Sequence, residues 1–207
     1  MSSAVRKTRP VGTHFDGDLR RALMDAAIAT LADVGADHLS LREVARRIGV
    51  SHAAPAHHFG DKAGLLTAIA TEGFELFSAH LSVAGSDLDS APVDELAILG
   101  RAYVQFAETF PAHFEVMFRP SLICVDDPAF AGAGDAAFEA LRRHIARCQD
   151  SGWRAHADNG ALTAAAWALA HGIAVLRTQG SLGRHYADVS LDGVVAIAGA
   201  LLGSAAS

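Results

Sequence analysis

The sequence predicts an all-α protein in two parts, a small N-terminal unit that contains a helix-turn-helix and a larger C-terminal helical unit. Three observations support this fold class. Apolar residues recur at i, i+3, i+4 and i+7 spacing along most of the 207 residues. Alanine is abundant and runs of β-branched residues are few, which favours helix over strand. Between Leu41 and Lys62, two short helical patterns are joined by a single glycine.

Length and composition narrow the class of protein. A chain of 207 residues, 51% of them apolar, can form one large domain or two small ones with an ample core. The two cysteines, Cys124 and Cys148, provide no disulfide framework, which indicates a reducing compartment and predicts a cytoplasmic protein. We see no signal peptide and no run of about 20 apolar residues, so we expect no membrane association.

The formal net charge of −6 is unevenly distributed. Residues 1–62 carry 9 Lys and Arg against 7 Asp and Glu, whereas residues 63–207 carry 8 against 16. The N-terminal part includes a basic arm over residues 1–16 that we expect to be flexible. A basic end on an acidic body attracts nucleic-acid phosphate at one end only, although enzymes also show such a split by chance.

The first helix is predicted to begin near Asp18 and to end near Gly35. Seven residues at helical spacing form its inward stripe: Leu19, Ala22, Leu23, Ala26, Ala27, Thr30 and Leu31. Together with the helix-turn-helix that follows, this helix makes up a predicted DNA-binding domain over residues 17–62.

The helix-turn-helix is predicted from its caps and its turn. Ser40 can cap the first of the two helices, and Glu43 stands three residues later, the spacing of a capping box. Gly49 supplies the turn because a residue without Cβ takes positive φ at no steric cost. Ser51 can cap the second helix, His52 to Phe59, which such a motif places in the major groove of DNA. The residues expected to face inward are Leu41, Val44, Ala45, Ile48 and, as a buried pivot, Val50.

The second part of the chain is also predicted to be helical. Asp61 caps a long connecting helix over residues 63–84, and a polar stretch, Gly85 to Pro92, is the predicted boundary. A ligand-binding and dimerisation domain is expected over residues 93–207. Its last two helices, predicted over Ala161–Thr178 and Leu191–Leu202, are apolar most of the way round. Because a helix with two apolar faces needs two partners, we expect both to contact a second subunit in a homodimer.

Three segments resemble the TetR family of bacterial transcriptional regulators. The stretch HHFGDKAGLL around Lys62, with an amphipathic helix and a helix-turn-helix in front of it, is similar to the N-terminal pattern of the family, and the similarity covers residues 14–80. In the C-terminal part, FAETFPAHFEVMF (Phe106–Phe118) and WALAHGIAVL (Trp167–Leu176) resemble the Trp-His-Gly signature of one subgroup of ligand domains.

The resemblance implies a DNA-contacting surface. Ser40 and Arg42 would contact phosphates, and His58 and Lys62 would lie near the DNA backbone. The residues expected to face base edges are His52, Ala53, Ala54 and His57, and Ser51 and Ala56 complete the surface. Two residues depart from the family pattern. Ala56 replaces a common tyrosine, and His57 replaces a frequent arginine or lysine, so fewer phosphate contacts are expected. The alternative is a helical hairpin packed inside an enzyme.

The resemblance also implies an effector cavity. Trp167 and His171 stand one helical turn apart on the same face, and in the resembled subgroup such residues lie beside the effector, with Gly172 admitting a neighbouring helix. The apolar wall around them would consist of Phe106, Phe110, Phe114, Met117, Phe118 and Phe138. The alternative is ordinary core packing, with His171 hydrogen-bonded to a backbone carbonyl.

The sequence offers little support for a metal site or for catalysis. His52, His57 and His58 are not spaced to place three imidazoles on one helical face. The other histidines considered, His113, His144, His156 and His185, are scattered and expected to be solvated. We therefore predict no metal and no cofactor. No nucleophile elbow, phosphate loop or dinucleotide fingerprint is present, so we predict no enzymatic activity, with a redox role for Cys124 left open.

These inferences combine into a ligand-responsive DNA-binding regulator. As a two-fold dimer, it would place two helices in successive major grooves about 34 Å apart on an inverted-repeat operator. A small hydrophobic or aromatic effector would release it from double-stranded DNA, which makes a repressor the expected type. The alternative is a helical small-molecule binding protein or enzyme on the same fold that has lost operator binding.

Overall fold

The computed structural model describes residues 16–84, 92–185 and 190–203, and the regular elements within these ranges are all helical, as predicted. The helices are α1 (Asp16–His38), α2 (Leu41–Arg47), α3 (Ala54–Phe59), α4 (Lys62–Ala84), α5 (Pro92–Thr109), α6 (Pro111–Met117), α7 (Pro128–Asp150), α8 (Asn159–Thr178), α9 (Ser181–His185) and α10 (Leu191–Gly203). A 3-10 turn, Pro120–Leu122, precedes α7.

The chain divides into two compact units, one up to Leu65 and one from Leu66 onward. The expected basic arm lies outside the described residues apart from Asp16, which begins α1, and so does the predicted connector apart from Pro92.

In the N-terminal unit, α1 packs against α2 and α3. The fully buried apolar residues of this core include Leu23, Ala27, Leu31, Val44 and Ala45. Val50 is only half-buried, so its expected role as a buried pivot is wrong. Its backbone N–H donates to the carbonyl of Ala45, and this bond holds the turn in place of side-chain burial.

The first helix is interrupted at the position where it was expected to end. Gly35 has φ 76° and ψ 166°, a conformation that suits glycine, and a last turn continues to His38. The kink allows Ala36 and Leu39, at 0% and 3% exposure, to enter the core beyond it. The end of α1 is therefore anchored by burial rather than frayed.

In the C-terminal unit, α5 packs against α6, α8 and α10, and α8 also packs against α7. The core is rich in edge-to-face aromatic pairs. The Phe77 ring lies 4.9 Å from Tyr103, 5.1 Å from Phe106 and 5.6 Å from Trp167, measured between centroids. Such geometries place the positive edge of one ring against the negative face of another, which fixes the packing angles of these helices.

Glycine allows close helix packing at Gly73 rather than at Gly172. A Cβ on Gly73 would lie 2.7 Å from the sulfur of Met117 and 3.2 Å from Cβ of His113, so only glycine lets α4 approach α6 this closely. A Cβ on Gly172 would meet no atom within 4 Å in the described part of the chain. The expectation that Gly172 admits a neighbouring helix is therefore wrong within one chain.

Helix α8 is more apolar than its burial explains. Its most apolar 18-residue window has a mean hydropathy of 1.3, and by length and composition it is able to cross a membrane. The expectation that no such run exists is therefore wrong, although a single helix of this kind is weak evidence for a membrane span. Only 22% of that window is buried within the chain. Leu176 on α8 and Ile197 on α10 are 46% and 64% exposed.

Candidate functional site

The second helix of the helix-turn-helix begins later than the sequence suggested. Gly49 adopts the expected positive φ of 71°, but Ser51 does not cap a helix that starts at His52. Its Oγ accepts from the N–H of Ala53 at 3.2 Å, and its carbonyl accepts from the N–H of Ala54, so a turn precedes α3. Pro55 explains the shift. In a helix starting at His52 its missing N–H would break the bond to the Ser51 carbonyl, whereas in α3 it occupies the first turn.

The capping box predicted for the first of these helices does not form. Ser40 occupies the N-cap position of α2, but it makes no side-chain capping bond. Glu43 instead accepts from Arg46 at 2.8 and 2.5 Å, and this hydrogen-bonded ion pair lowers the pKa of the glutamate. The two charges of the pair neutralise each other on the exposed face of α2. The backbone N–H groups of the first turn of α2 are left to bond with solvent.

Most cationic groups among the described residues of the N-terminal unit already have partners. Arg47 donates to Asp33 at 2.7 Å and so ties α2 to α1. Arg20 lies with its guanidinium carbon 4.9 Å from the centroid of the Phe59 ring. By contrast, the exposed Arg42 forms no ion pair or hydrogen bond within the ranges that the structure describes.

Lys62 lies at the junction of α3 and α4. Asp61 caps α4 as predicted, because its Oδ1 accepts from the N–H of Gly64 at 2.8 Å. The ammonium group of Lys62 donates to the carbonyl of Asp37 at 2.9 Å, at the end of α1. An ammonium has three donors, so two remain for a DNA phosphate.

The predicted DNA-contacting residues are mostly accessible. The exposed ones are Ser40, Arg42, Ser51, His52, Ala53, Ala56 and His57. Three others are half-buried, namely Ala54, His58 and Lys62. The turn and the first residues of α3 thus present small side chains, interrupted by imidazoles, on one continuous stretch of chain.

Trp167 and His171 share a face of α8, as predicted, and both lie near Phe118. The Phe118 centroid is 4.6 Å from that of His171 and 6.1 Å from that of Trp167. His171 has no backbone-carbonyl partner among the residues that the structure describes. Its Nδ1 lies 2.9 Å from the hydroxyl of Tyr103, which is 4% exposed. Burial lowers the pKa of His171 and raises that of Tyr103, so both groups are neutral at neutral pH.

The residues predicted to line one effector cavity border two separate spaces in the structure, or neither. A narrow apolar cleft of about 50 Å³ lies beside Tyr103 and Trp167, lined also by residues of α5 and α10. A wider groove of about 440 Å³ is lined by His171, Phe114 and Phe118, with Thr178 and Gln179 at its polar end. Only the groove has the volume typical of a small-molecule site.

The remaining predicted wall residues do not line either space. Phe106 and Met117 are 0% and 3% exposed, and both pack in the core. Phe110 is half-buried and contacts Phe106, with a centroid distance of 5.2 Å. Phe138 is 41% exposed and stacks on Trp167 at 3.8 Å. It therefore covers the outer face of the indole.

Two family models match the chain. One is described as the bacterial regulatory proteins of the tetR family and matches residues 23–69. The other is described as the tetracyclin repressor-like C-terminal domain and matches residues 96–197. The chain belongs to the TetR family. The two matches span most of the N-terminal unit with its helix-turn-helix and most of the helical body, so both parts of this TetR-family chain are matched.

Individual relatives agree with this assignment. The HTH-type transcriptional regulator BetI of Cronobacter sakazakii is 47% identical over 49 residues, 24% of this chain and 24% of that protein. The HTH-type transcriptional repressor Rv1474c of Mycobacterium tuberculosis is 38% identical over 66 residues, 32% of this chain and 35% of that protein. The chain thus matches about a quarter to a third of the length of these curated relatives.

A solved structure is similar over nearly the whole TetR chain. It is a protein of unknown function from Rhodococcus sp. RHA1, with 32% identity and a TM-score of 0.77, covering 95% of this chain and 97% of that one. The similarity to this structure therefore covers both units of the chain.

Sequence reasoning missed two interaction partners in this TetR-family chain. Tyr103 was visible only as a member of an apolar stripe, because nothing in its local pattern indicates a bond to a residue 68 positions away. The bond from Lys62 to the carbonyl of Asp37 could not be predicted either, because every residue has a backbone carbonyl and the sequence does not show which one accepts. The Glu43 and Arg46 pair was readable from its i, i+3 spacing.

Proposed function

We propose that this protein is a homodimeric, ligand-responsive repressor that binds an inverted-repeat operator in the bacterial cytoplasm. The observation that carries the proposal is the exposed surface formed by the turn at Gly49 and the start of α3. Its small side chains, at Ala53 and Ala56, permit close approach to a groove floor, and the imidazoles of His52 and His57 supply hydrogen-bonding groups for base edges.

Among the described residues, phosphate contacts would fall chiefly to Arg42 and Lys62. Arg42 has all its guanidinium donors available, and Lys62 has two after bonding the carbonyl of Asp37. Arg46 and Arg47 are held by Glu43 and Asp33, so they contribute less to counterion release. We therefore expect specific but electrostatically weak binding.

A gel shift against DNA from upstream of the chain's own gene tests the proposal. We expect a shift that unrelated DNA of equal length competes away only at large excess. A helical binding protein that has lost operator contact would give equal shifts with both DNAs or none, and that result would remove the repressor model.

Replacing Arg42 by alanine is expected to weaken binding to every DNA sequence alike. It should also reduce the slope of log affinity against log salt by about one unit, because one phosphate contact is lost. Arg46→Ala is the matched control on the same helix. Since Arg46 is already paired with Glu43, its loss should change the slope by less. Filter binding at several salt concentrations measures both, and equal slopes for the two variants would refute the role given to Arg42.

The effector site is proposed at the boundary of the cleft and the groove. Tyr103 lines the cleft and His171 lines the groove, and a 2.9 Å hydrogen bond joins the two side chains. We infer that this bonded pair forms the wall between the two spaces. Breaking that bond would join the two spaces around Trp167 and Phe118. An apolar or aromatic molecule with one hydrogen-bonding group would fit this composition, in keeping with the Trp-His-Gly subgroup of ligand domains.

The two halves of this hydrogen bond should respond differently to substitution. His171→Phe leaves the Tyr103 hydroxyl buried without a partner, which is expected to cost about 1–3 kcal/mol of unfolding free energy. Tyr103→Phe should cost less, because the half-buried imidazole reaches water through the groove. The double variant should be more stable than His171→Phe alone. Urea unfolding measures the three values, and additive losses would show that the bond contributes nothing.

The same variants test whether the proposed effector site is coupled to DNA binding. An aromatic probe such as anilinonaphthalene sulfonate should bind Tyr103→Phe at least as tightly as the native protein, because opening the wall no longer breaks a hydrogen bond. Operator DNA should weaken probe binding by the factor by which the probe weakens DNA binding. Titrations with and without operator check this reciprocity, and a probe that leaves operator affinity unchanged would contradict the induction mechanism.

A further inference from the structure

Three potential metal ligands meet inside the C-terminal unit, and none of them lines the groove or the cleft. Glu95 lies on α5, and His144 and Cys148 lie one turn apart on α7. Nε2 of His144 is 3.2 Å from Oε2 of Glu95. The sulfur of Cys148 is 3.7 Å from the same nitrogen and 3.9 Å from the same oxygen. His144 and Cys148 are buried at 5% and 3% exposure. The expectation that His113 and His144 are solvated is therefore wrong, since His113 is also only 5% exposed.

The spacing of these three atoms matches that of a tetrahedral metal site. Bond lengths of about 2.0–2.1 Å for Zn–N and Zn–O and about 2.3 Å for Zn–S, at tetrahedral angles, place the ligand atoms about 3.4–3.6 Å apart. The observed separations of 3.2, 3.7 and 3.9 Å depart from these by only a few tenths of an ångström. Small side-chain rotations would bring all three ligands onto one ion.

We propose that Glu95, His144 and Cys148 bind a divalent ion of the zinc type, with a fourth position open to water or a small ligand. One sulfur, one nitrogen and one oxygen form a donor set that selects Zn²⁺ and Co²⁺ over Mg²⁺ and Ca²⁺, which prefer oxygen alone. A space of about 270 Å³ reaches His144 and is lined also by Ser78, Ser82 and Arg143. It would admit the fourth ligand.

Protonation in the metal-free protein is compatible with loading. Burial is the main cause that lowers the pKa of His144, so its imidazole is neutral. Burial, together with the charge of Glu95, raises the pKa of the Cys148 thiol to about 11, so binding must release that proton to solvent as the S–metal bond forms. The bound ion then faces one thiolate and one carboxylate, whose two negative charges balance its own.

Arg147 competes with the metal. Its guanidinium lies 2.8 Å from Nδ1 of His144, an arrangement in which Nδ1 accepts and the ring proton occupies Nε2. Coordination through Nε2 requires the proton on Nδ1, so the exposed Arg147 side chain must move away. Its positive charge also opposes the ion. Metal affinity is therefore set by this arginine as well as by the ligands.

Cobalt titration of the full-length protein, freed of metal by chelator dialysis, tests the proposal. We expect one Co²⁺ per chain, with thiolate-to-cobalt charge transfer in the near ultraviolet and visible bands of tetrahedral intensity that added Zn²⁺ abolishes. Weak binding to the surface imidazoles would give neither the sulfur band nor the stoichiometry. A wild-type protein without these bands would refute the site.

The chain provides a matched cysteine control. Cys148→Ser should lose the sulfur band and at least about 100-fold in affinity, because removing a ligand costs no less than removing an outer-shell partner. Cys124→Ser, at the exposed second cysteine, should keep both. Retention of the band in Cys148→Ser, or its loss in Cys124→Ser, would overturn the assignment.

Two further variants test the site independently, in case Cys148→Ser does not fold. Glu95→Gln should weaken Co²⁺ binding and keep the sulfur band. Arg147→Gln should tighten binding by about tenfold or more, since a unit positive charge is removed close to a dication. A purely structural hydrogen-bond cluster predicts no effect of Arg147→Gln on metal affinity, and that result would also overturn the proposal.

Discussion

Replacing both Leu176 and Ile197 by aspartate is expected to convert a dimer of this protein into monomers. Both side chains are substantially exposed in the single chain, at 46% and 64%, and lie on the apolar helices α8 and α10. A dimer seam there would bury an uncompensated charge at each position, which costs about 3–5 kcal/mol. One such charge alone should raise the dissociation constant by roughly two to three and a half orders of magnitude, and the double variant should raise it by at least that much. Sedimentation velocity over a concentration series measures it.

Val125 offers a matched control for this experiment. It is also 46% exposed, but it lies in the loop before α7. Val125→Asp should leave the sedimentation profile unchanged. Because both interface residues are accessible in the single chain, the double variant should keep its helical circular dichroism. A wild-type protein that is monomeric at micromolar concentration would refute the symmetric-operator model, and an effect of Val125→Asp equal to that of the double variant would refute this seam.

Replacing Gly64 by alanine is expected to damage the N-terminal unit. A Cβ there would lie 2.0 Å from the carbonyl oxygen of Phe59, and because that oxygen is backbone, the end of α3 would have to move. Overpacking of this kind costs about 1–3 kcal/mol, and a rigid neighbour favours the upper end. DNA binding should fall with it, since the end of α3 shifts. Thermal unfolding and a gel shift measure the two effects.

Gly132 on α7 is the control for the effect of the substitution itself. A Cβ there meets nothing within 4 Å in the described part of the chain. Gly132→Ala should therefore leave DNA binding intact and stabilise the helix by about 0.5–1 kcal/mol, because alanine is the better helix former. If Gly64→Ala leaves stability and DNA binding as Gly132→Ala does, then the contact between Gly64 and the Phe59 carbonyl does not fix the end of α3 relative to α4.

Periodicity and turn chemistry were enough to predict the helical class and the helix-turn-helix. Gly49 could be identified because a tight turn between two short helices requires positive φ, and the structure gives it. Asp61 could be identified because a carboxylate before an apolar run caps a helix. The late start of α3 was also readable, since Pro55 lacks the N–H that the fourth residue of a helix beginning at His52 would donate to the Ser51 carbonyl.

Partner choice between distant segments could not be predicted. Helical spacing shows which face of α5 is apolar, but it does not show that Tyr103 meets His171 or that Glu95 meets His144. Those contacts depend on how the helices pack and on their rotation about their own axes. The spacing of Ser40 and Glu43 was misleading for a different reason. Two local interactions competed for one carboxylate, and the charged partner, Arg46, prevailed over a backbone N–H.

The bond from Lys62 to the Asp37 carbonyl joins two residues that are 25 positions apart. The segment between them contains all of α2, the turn and α3, so this bond fixes the two ends of a loop whose helices also pack against α1. Opening such a loop regains chain entropy for the whole segment at once. Its amide protons should therefore exchange with solvent as one cooperative group rather than helix by helix. A phosphate held by Lys62 would keep that loop shut and slow its exchange.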